Sequence, residues 1–417
     1  MSIYNARAGT LVVGELPIHM SHLYTRTDSS MSHRTFQEHM LSRRLLYFTP
    51  IQIYFQCSCS VFCEDTVGEN ISPTAYIEPG NTIWNTKSRN QTSEARGSFG
   101  GWDLSRRPLH TLYELMESYE MALTRYTYRE VSYQADILNA FEGVKAVLSN
   151  AMNTQFWQGI PENILVHALC WQLRGDFQRR RNRPAGQPPS KPLFPSWTWA
   201  GWDSRINLNM HMAIRAYRSD AEWYIINNAS VATRLVVHPE GNSLESQRLT
   251  ASSLKTLLPQ LALREEVDAS SPEWRDARTL ACWTTRAFFE IDGSRHQLDT
   301  DRHERQWPKS TNFAIKDSQR ITAGCILLPK DFVEKFGTDS VRCEFILISR
   351  SLPSQRTKMS YFNEAVYAPK DWCHLNVMLI SRPAHLGQYE ALRIGVGIIH
   401  HDAWTAARPE TDFVKLV

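Results

Sequence analysis

Several short stretches of this chain carry residue types that could do chemistry. In HRTFQEHMLSRR, Glu38 is a carboxylate set between a polar start and two arginines, the setting an acid or base would need. A structural role asks for less. Thr35-Phe36-Gln37-Glu38 fits the Ser/Thr-x-x-Glu capping box, in which Thr35 accepts an amide hydrogen bond at a helix start and Glu38 reaches back to the cap's own amide. Such a cap stabilises a helix by roughly 0.5 to 2 kcal/mol, and Arg43 and Arg44 suit the negative end of the same helix. Capping is the reading adopted for Glu38, with catalysis as its alternative.

The other clusters are weighed in the same way. Cys57, Cys59 and Cys63 could be thiolate ligands, but no matched second pair follows at zinc-site spacing, so they read as packing residues. His400, His401 and Asp402 have the chemistry of a ligand or base cluster. Successive strand residues point to opposite faces, however, which favours a structural histidine pair beside Trp404. Arg179, Arg180, Arg181 and Arg183 could bind phosphate or serve as an import signal; with Pro184, Pro188 and Pro189 behind them, a solvated linker is expected. Trp197, Trp199 and Trp202 in FPSWTWAGW could stack a base or sugar, yet Ala200 and Gly201 beside them favour packing at a tight chain crossing.

Stronger catalytic signatures are missing from the sequence. It has no Gly-x-Ser-x-Gly elbow, no phosphate loop ending in Gly-Lys-Ser/Thr and no His-Glu-x-x-His. GVGIIH, from Gly395 to His400, lacks the third glycine of a dinucleotide loop and lies in a strand-like run, so close backbone packing explains it better. No metal and no cofactor is expected. The 417 residues carry 46 Lys and Arg against 43 Asp and Glu, too even a balance for a protein built to wrap nucleic acid. No apolar run reaches membrane-spanning length and no signal peptide opens the chain, so an intracellular, cytoplasmic protein is expected.

The elements that must position these residues are mixed. LLYFTPIQIYFQC places Leu45, Tyr47, Ile51, Ile53, Phe55 and Cys57 on one parity, which predicts a strand. Residues 64–106 are polar and without period, a long loop. Leu109, Leu112, Tyr113, Met116, Tyr119, Leu123 and Tyr126 form one helical stripe, and Ile137, Phe141, Val144 and Leu148 a second. Pro161 suits the first turn of a third helix carrying Ile164, Ala168 and Trp171. Beyond the arginines the period becomes two in TTRAFFEI, VRCEFILIS, NVMLIS and ALRIGVGII, with SLKTLLPQLAL a candidate helix among them. The expected class is α+β: a helical segment over 107–205, ending in the PSWTWAGW block, and a β-rich region over 206–417, either a sandwich or an irregular barrel.

Several of these strings together resemble one family, the fungal heterokaryon-incompatibility (HET) domain proteins. SHRTFQEHMLSRRLLYF is similar to the family's Arg-Gly-Trp-Thr-Phe-Gln-Glu-x-x-Leu-Ser-x-Arg block through Thr35, Phe36, Gln37, Glu38, Leu41, Ser42 and Arg44, with Arg34 where the family has tryptophan. YTYREVSYQADILNAFEGV resembles a second block through Arg129, Ser132, Asp136, Leu138 and Ala140. PSWTWAGWDS resembles a third, through Pro195, Ser196, Trp197, Trp199, Gly201 and Trp202. The family's opening Tyr-x-x-Leu-Ser-Tyr-x-Trp-Gly strand and its Trp-Ile-Asp-x-x-Cys-Ile-Asn-Gln block do not occur, so residues 1–63 are expected to be the C-terminal remainder of an α/β-type HET domain. The resemblance implies fungal non-self recognition and cell-death signalling, with protein partners and self-association. Its alternative is an NAD-cleaving enzyme akin to Toll/interleukin-receptor-like domains, with Glu38 assisting at the ribosyl bond. Kinship of fold alone does not establish that chemistry.

Overall fold

The computed structural model describes six short strands within the first 63 residues and then residues 112–417, apart from 130, 132, 176–177, 183–190, 209–213, 238–260, 266, 297–308, 338 and 354–360. The chain divides into two compact units, Met1–Thr154 and Gln155–Val417. It is α+β, with one large sheet and few helices.

In the first unit, β1 (Tyr4–Ala6) pairs antiparallel with β2 (Gly9–Leu11). A second sheet sets β3 (Val13–Glu15), β4 (Arg44–Phe48), β5 (Ile53–Cys57) and β6 (Val61–Cys63) side by side, with β3 parallel to β4. LLYFTPIQIYFQC, expected as one strand, is therefore an antiparallel hairpin in which Leu46 faces Phe55 and Tyr47 faces Tyr54. Odd positions of one arm stand opposite even positions of the other, so the single parity of the sequence does not survive the reversal.

The two helical stripes follow. Helix α1 (Leu112–Thr127) buries Met116, Tyr119, Leu123 and Tyr126 at steps of three and four residues. The next stripe opens as two 3-10 turns, Gln134–Asp136 and Asn139–Phe141, and becomes helix α2 (Glu142–Met152), which buries Val144, Leu148, Ala151 and Met152. Asn153, at φ 47°, ends it in the left-handed region that asparagine tolerates. Tyr126 ties the two together: its ring lies 4.9 Å from Phe141 and its hydroxyl donates to the Ile137 carbonyl.

The second unit begins with a hairpin of β7 (Phe156–Trp157) and β8 (Ile160–Pro161). Pro161 thus stands in a strand, and the third helix is a single turn, α3 (Leu165–Ala168). Ile164 through Cys170 are all buried, so the three- and four-residue apolar step reflected complete burial rather than one face of a long helix. Next, β9 (Gln172–Leu173) pairs with β10 (Ile206–Asn207). The large sheet comprises β11 (Ile214–Ser219), β12 (Glu222–Ile226), β13 (Val231–Arg234), β14 (Ala262–Arg264), β15 (Thr279–Arg295), β16 (Ser310–Lys316), β17 (Thr322–Pro329), β18 (Ser340–Pro353), β19 (His374–Ser381), β20 (Glu390–His400) and β21 (Glu410–Leu416). The end of SLKTLLPQLAL enters β14 rather than a helix; Ser253–Gln260 lie outside the described residues.

Six of these strands close on themselves. The pairs β15–β16, β16–β17, β17–β20, β20–β19, β19–β18 and β18–β15 are all antiparallel, which makes a barrel without a free edge within that ring. The first half of β15 continues outside it, pairing with β12 and β21. His374–Ile380 of β19 is buried at every position, so both its faces are covered, and from Val377 to Ile380 its sequence is continuously apolar rather than alternating. Strands β17 and β20 approach so closely that a Cβ at Gly397 would meet the Cys325 carbonyl oxygen at 2.5 Å. That approach accounts for the glycines of GVGIIH. Helix α4 (Pro272–Arg275) precedes β15, and α5 (His401–Ala406) follows β20, stacking Trp404 on Phe289 at 5.9 Å between ring centroids.

Candidate functional site

The PSWTWAGW block is densely hydrogen-bonded. Trp197, Trp199 and Trp202 are buried, and each indole N–H has a carbonyl acceptor: Arg278 at 2.9 Å, Gly159 at 3.2 Å and Ser196 at 2.8 Å respectively. Thr198 accepts the Ala200 amide and donates to the Gln158 carbonyl at 2.6 Å, bonding the block to the β7–β8 turn. Gln158 and Gly159 occupy that turn at φ 48° and 84°, the left-handed pair a two-residue hairpin of this twist requires. A Cβ at Gly201 would lie 2.2 Å from the Pro195 carbonyl oxygen, which only glycine avoids. Ser196 donates to the main-chain oxygen of Val417 at 2.6 Å and accepts the Arg393 amide at 2.9 Å. Such indoles have no free face on which to stack a ligand.

The neighbouring arginines are part of this lock, not a solvated linker. Arg180 is 5% exposed; its Nε and Nη2 donate to the Ala200 and Trp202 carbonyls at 3.2 and 3.0 Å, and Nη1 lies 3.4 Å from Asp203. Arg179 donates to the Gly201 and Phe194 carbonyls and lies 5.3 Å from the Trp202 ring. Burial, reinforced by Arg181 and Arg278, lowers its pKa to about 10. These guanidiniums replace solvent at the turn's carbonyls, of which Gly201 also accepts the Arg180 amide at 2.8 Å. Arg183 and the prolines after it lie outside the described residues.

Arg393 went unnoticed in the sequence, although an arginine inside the apolar run ALRIGVGII is itself a signal. It is 1% exposed, with its guanidinium 3.2 Å from the centroid of Trp171 and donating to the Trp171 carbonyl. Burial lowers its pKa well below the arginine norm. Cys170 beside it is pushed up to about 12 by burial, and Cys325 likewise, so both are neutral thiols rather than nucleophiles.

The titratable groups gather elsewhere, where β19 begins and β20 ends. His374 and His400 are cross-strand partners, and the Phe362 ring lies between them at 5.4 and 4.7 Å. Tyr361 stands 5.4 Å from His374, and Tyr367 5.3 Å from His400. Of the expected strand-end histidine pair, His400 does end β20, while His401 opens the helix, so His400 is the residue on which strand becomes helix. Its Nδ1 accepts the Asp402 amide at 3.1 Å as the cap of α5, and its Nε2 donates to the Ala368 carbonyl at 3.2 Å. With an amide on one nitrogen and a carbonyl on the other, the ring must be neutral and protonated at Nε2. Burial, and then His400, push His374 down to about 4, while burial also lowers His400. Outside this core, Lys370 pairs with Asp402 at 2.6 Å and His401 reaches Asp402 at 3.2 Å. Burial and a hydrogen bond to Asp317 raise Tyr367.

The structure separates the remaining sequence candidates. Thr35, Phe36, Gln37, Glu38, Leu41 and Ser42 lie outside the described residues, as does the loop over 64–106, while Arg44 opens β4. Arg129 is buried just beyond α1, and Asp136 sits half-exposed in a 3-10 turn. Among the described residues no three of His, Cys, Asp and Glu are grouped to hold a metal ion, and no helix is long and apolar enough to cross a membrane. Comparison of the chain with protein-family descriptions, curated proteins and solved structures found no match.

Proposed function

We propose that this chain acts in fungal non-self recognition, as a signalling and assembly protein of the heterokaryon-incompatibility type. The reading rests on the blocks that resemble that family, and one observation supports it in particular. The PSWTWAGW block, the string with the fullest likeness, is spent on architecture: its three indoles are buried, Thr198 and Trp199 bond the β7–β8 turn, and Ser196 bonds Arg393 of β20 and Val417 just past β21. A unit locked in this way suits the presentation of fixed surfaces to protein partners better than the turnover of a substrate.

Expression of the full chain in a filamentous fungus, scored for growth arrest and vital-dye uptake, tests the reading. The wild type is expected to arrest growth and Trp197→Ala to lose the effect; growth equal to the empty vector would discard the proposal. Incubating the purified chain with NAD addresses the alternative. Turnover abolished by Glu38→Gln would replace a signalling role with an enzymatic one.

A further inference from the structure

The outer face of the barrel carries an aromatic residue that the fold does not use. Phe288 on β15 is 43% exposed, with the Arg342 and Arg286 guanidiniums 5.0 and 5.9 Å from its ring centroid. Arg286 and Glu290, two residues to either side, share its face, and Glu344 of β18 is its cross-strand partner.

Charge is distributed unevenly about that ring. Toward Arg286 stand three carboxylates, Glu344, Glu410 and Asp412, against two guanidiniums: Arg286 reaches Glu410 at 3.0 Å, and Arg382 reaches Glu344 and Asp412 at 3.1 and 2.7 Å. Toward Glu290 the balance reverses. Lys316, Arg320 and Arg342 outnumber Asp292 and Glu290, the two pairs there being looser at 3.8 Å, and Arg342 makes no ion pair among the described residues. One end of the face is one negative charge in excess and the other one positive charge, with an exposed aromatic between them.

A surface of this kind is complementary to itself. A two-fold axis at Phe288 sets the acid-rich end of one copy over the base-rich end of the other and buries both rings at the centre, the isologous arrangement of a symmetric dimer. We propose that this face is a self-association surface whose occupant is a second copy of the same chain. Aromatic residues and arginine are also the types that carry binding energy at interface centres.

Sedimentation velocity of the purified full chain over a range of concentration and salt is the test. The wild type is expected to dimerise, more weakly as salt rises, and Phe288→Glu to raise the dimer dissociation constant by at least about tenfold. Arg342→Glu alone and Glu410→Arg alone should each weaken the dimer, and the two together in one chain should restore it. All three side chains are exposed, and an unchanged circular dichroism spectrum checks that the variants fold. A chain monomeric at every concentration would overturn self-association; a dimer indifferent to Phe288→Glu and to the charge exchange would overturn this surface. Neither outcome depends on the cell-death assay.

Discussion

A single glycine and two histidines concentrate the residue-scale consequences. Gly201 is boxed in by the Pro195 carbonyl, so Gly201→Ala must displace a backbone turn that Arg179 and Arg180 hold from outside. Overpacking of this kind costs about 1 to 3 kcal/mol, to be read as a lower urea midpoint at unchanged slope. His374 titrates near 4 in the fold and near 6.5 in the unfolded chain. Between those values the unfolded state binds more protons, so stability is fully present above about pH 6.5 and falls as the pH drops toward 4, by up to roughly 3 kcal/mol. Urea unfolding at pH 7.5 and 4.5 should show that loss, and His374→Phe should flatten it; equal slopes for both proteins would exclude His374 as its source. The sequence marked the tryptophans and the glycine as packing residues, and they are. It misplaced Arg180, because nothing in a run of arginines announces that a turn twenty residues on, about seventy ångströms of extended chain, will present its carbonyls to them.

At the scale of elements, periodicity succeeded where one element buries one face. The stripe of α1 reads directly as Met116, Tyr119, Leu123 and Tyr126 in the core. Removing the Tyr126 hydroxyl that bonds the Ile137 carbonyl, by Tyr126→Phe, should cost about 1 to 3 kcal/mol, since the buried acceptor is left without its donor. A loss confined to the Met1–Thr154 unit, seen as faster amide exchange there alone, is the expected signature. Periodicity misled where a segment is covered on every side, as at Ile164–Cys170, and where a hairpin inverts parity, as between β4 and β5. In both places the missing information is what lies on the other side of the backbone, which no local pattern contains.

For the whole molecule, closure of β15 on β18 leaves the six-stranded ring without an edge from which to open. Amides of β19, buried on both faces, should exchange with solvent most slowly and those of β14, whose three residues are exposed, among the fastest. Mass-spectrometric exchange showing equal protection in the two strands would contradict that hierarchy. The amino-acid sequence by itself determined the α+β class, the apolar stripes of the helices, the burial of the tryptophan block and the need for glycine where strands touch, because each follows from side-chain volume, polarity and local repeat. Only the tertiary structure decided that the strands close into a barrel, that His374 meets His400 across one rung, that Arg393 lies on Trp171, and that Phe288 is left outside. Those are pairings between residues distant along the chain, chosen by which complete packing buries the most apolar surface while leaving the fewest polar groups unpaired.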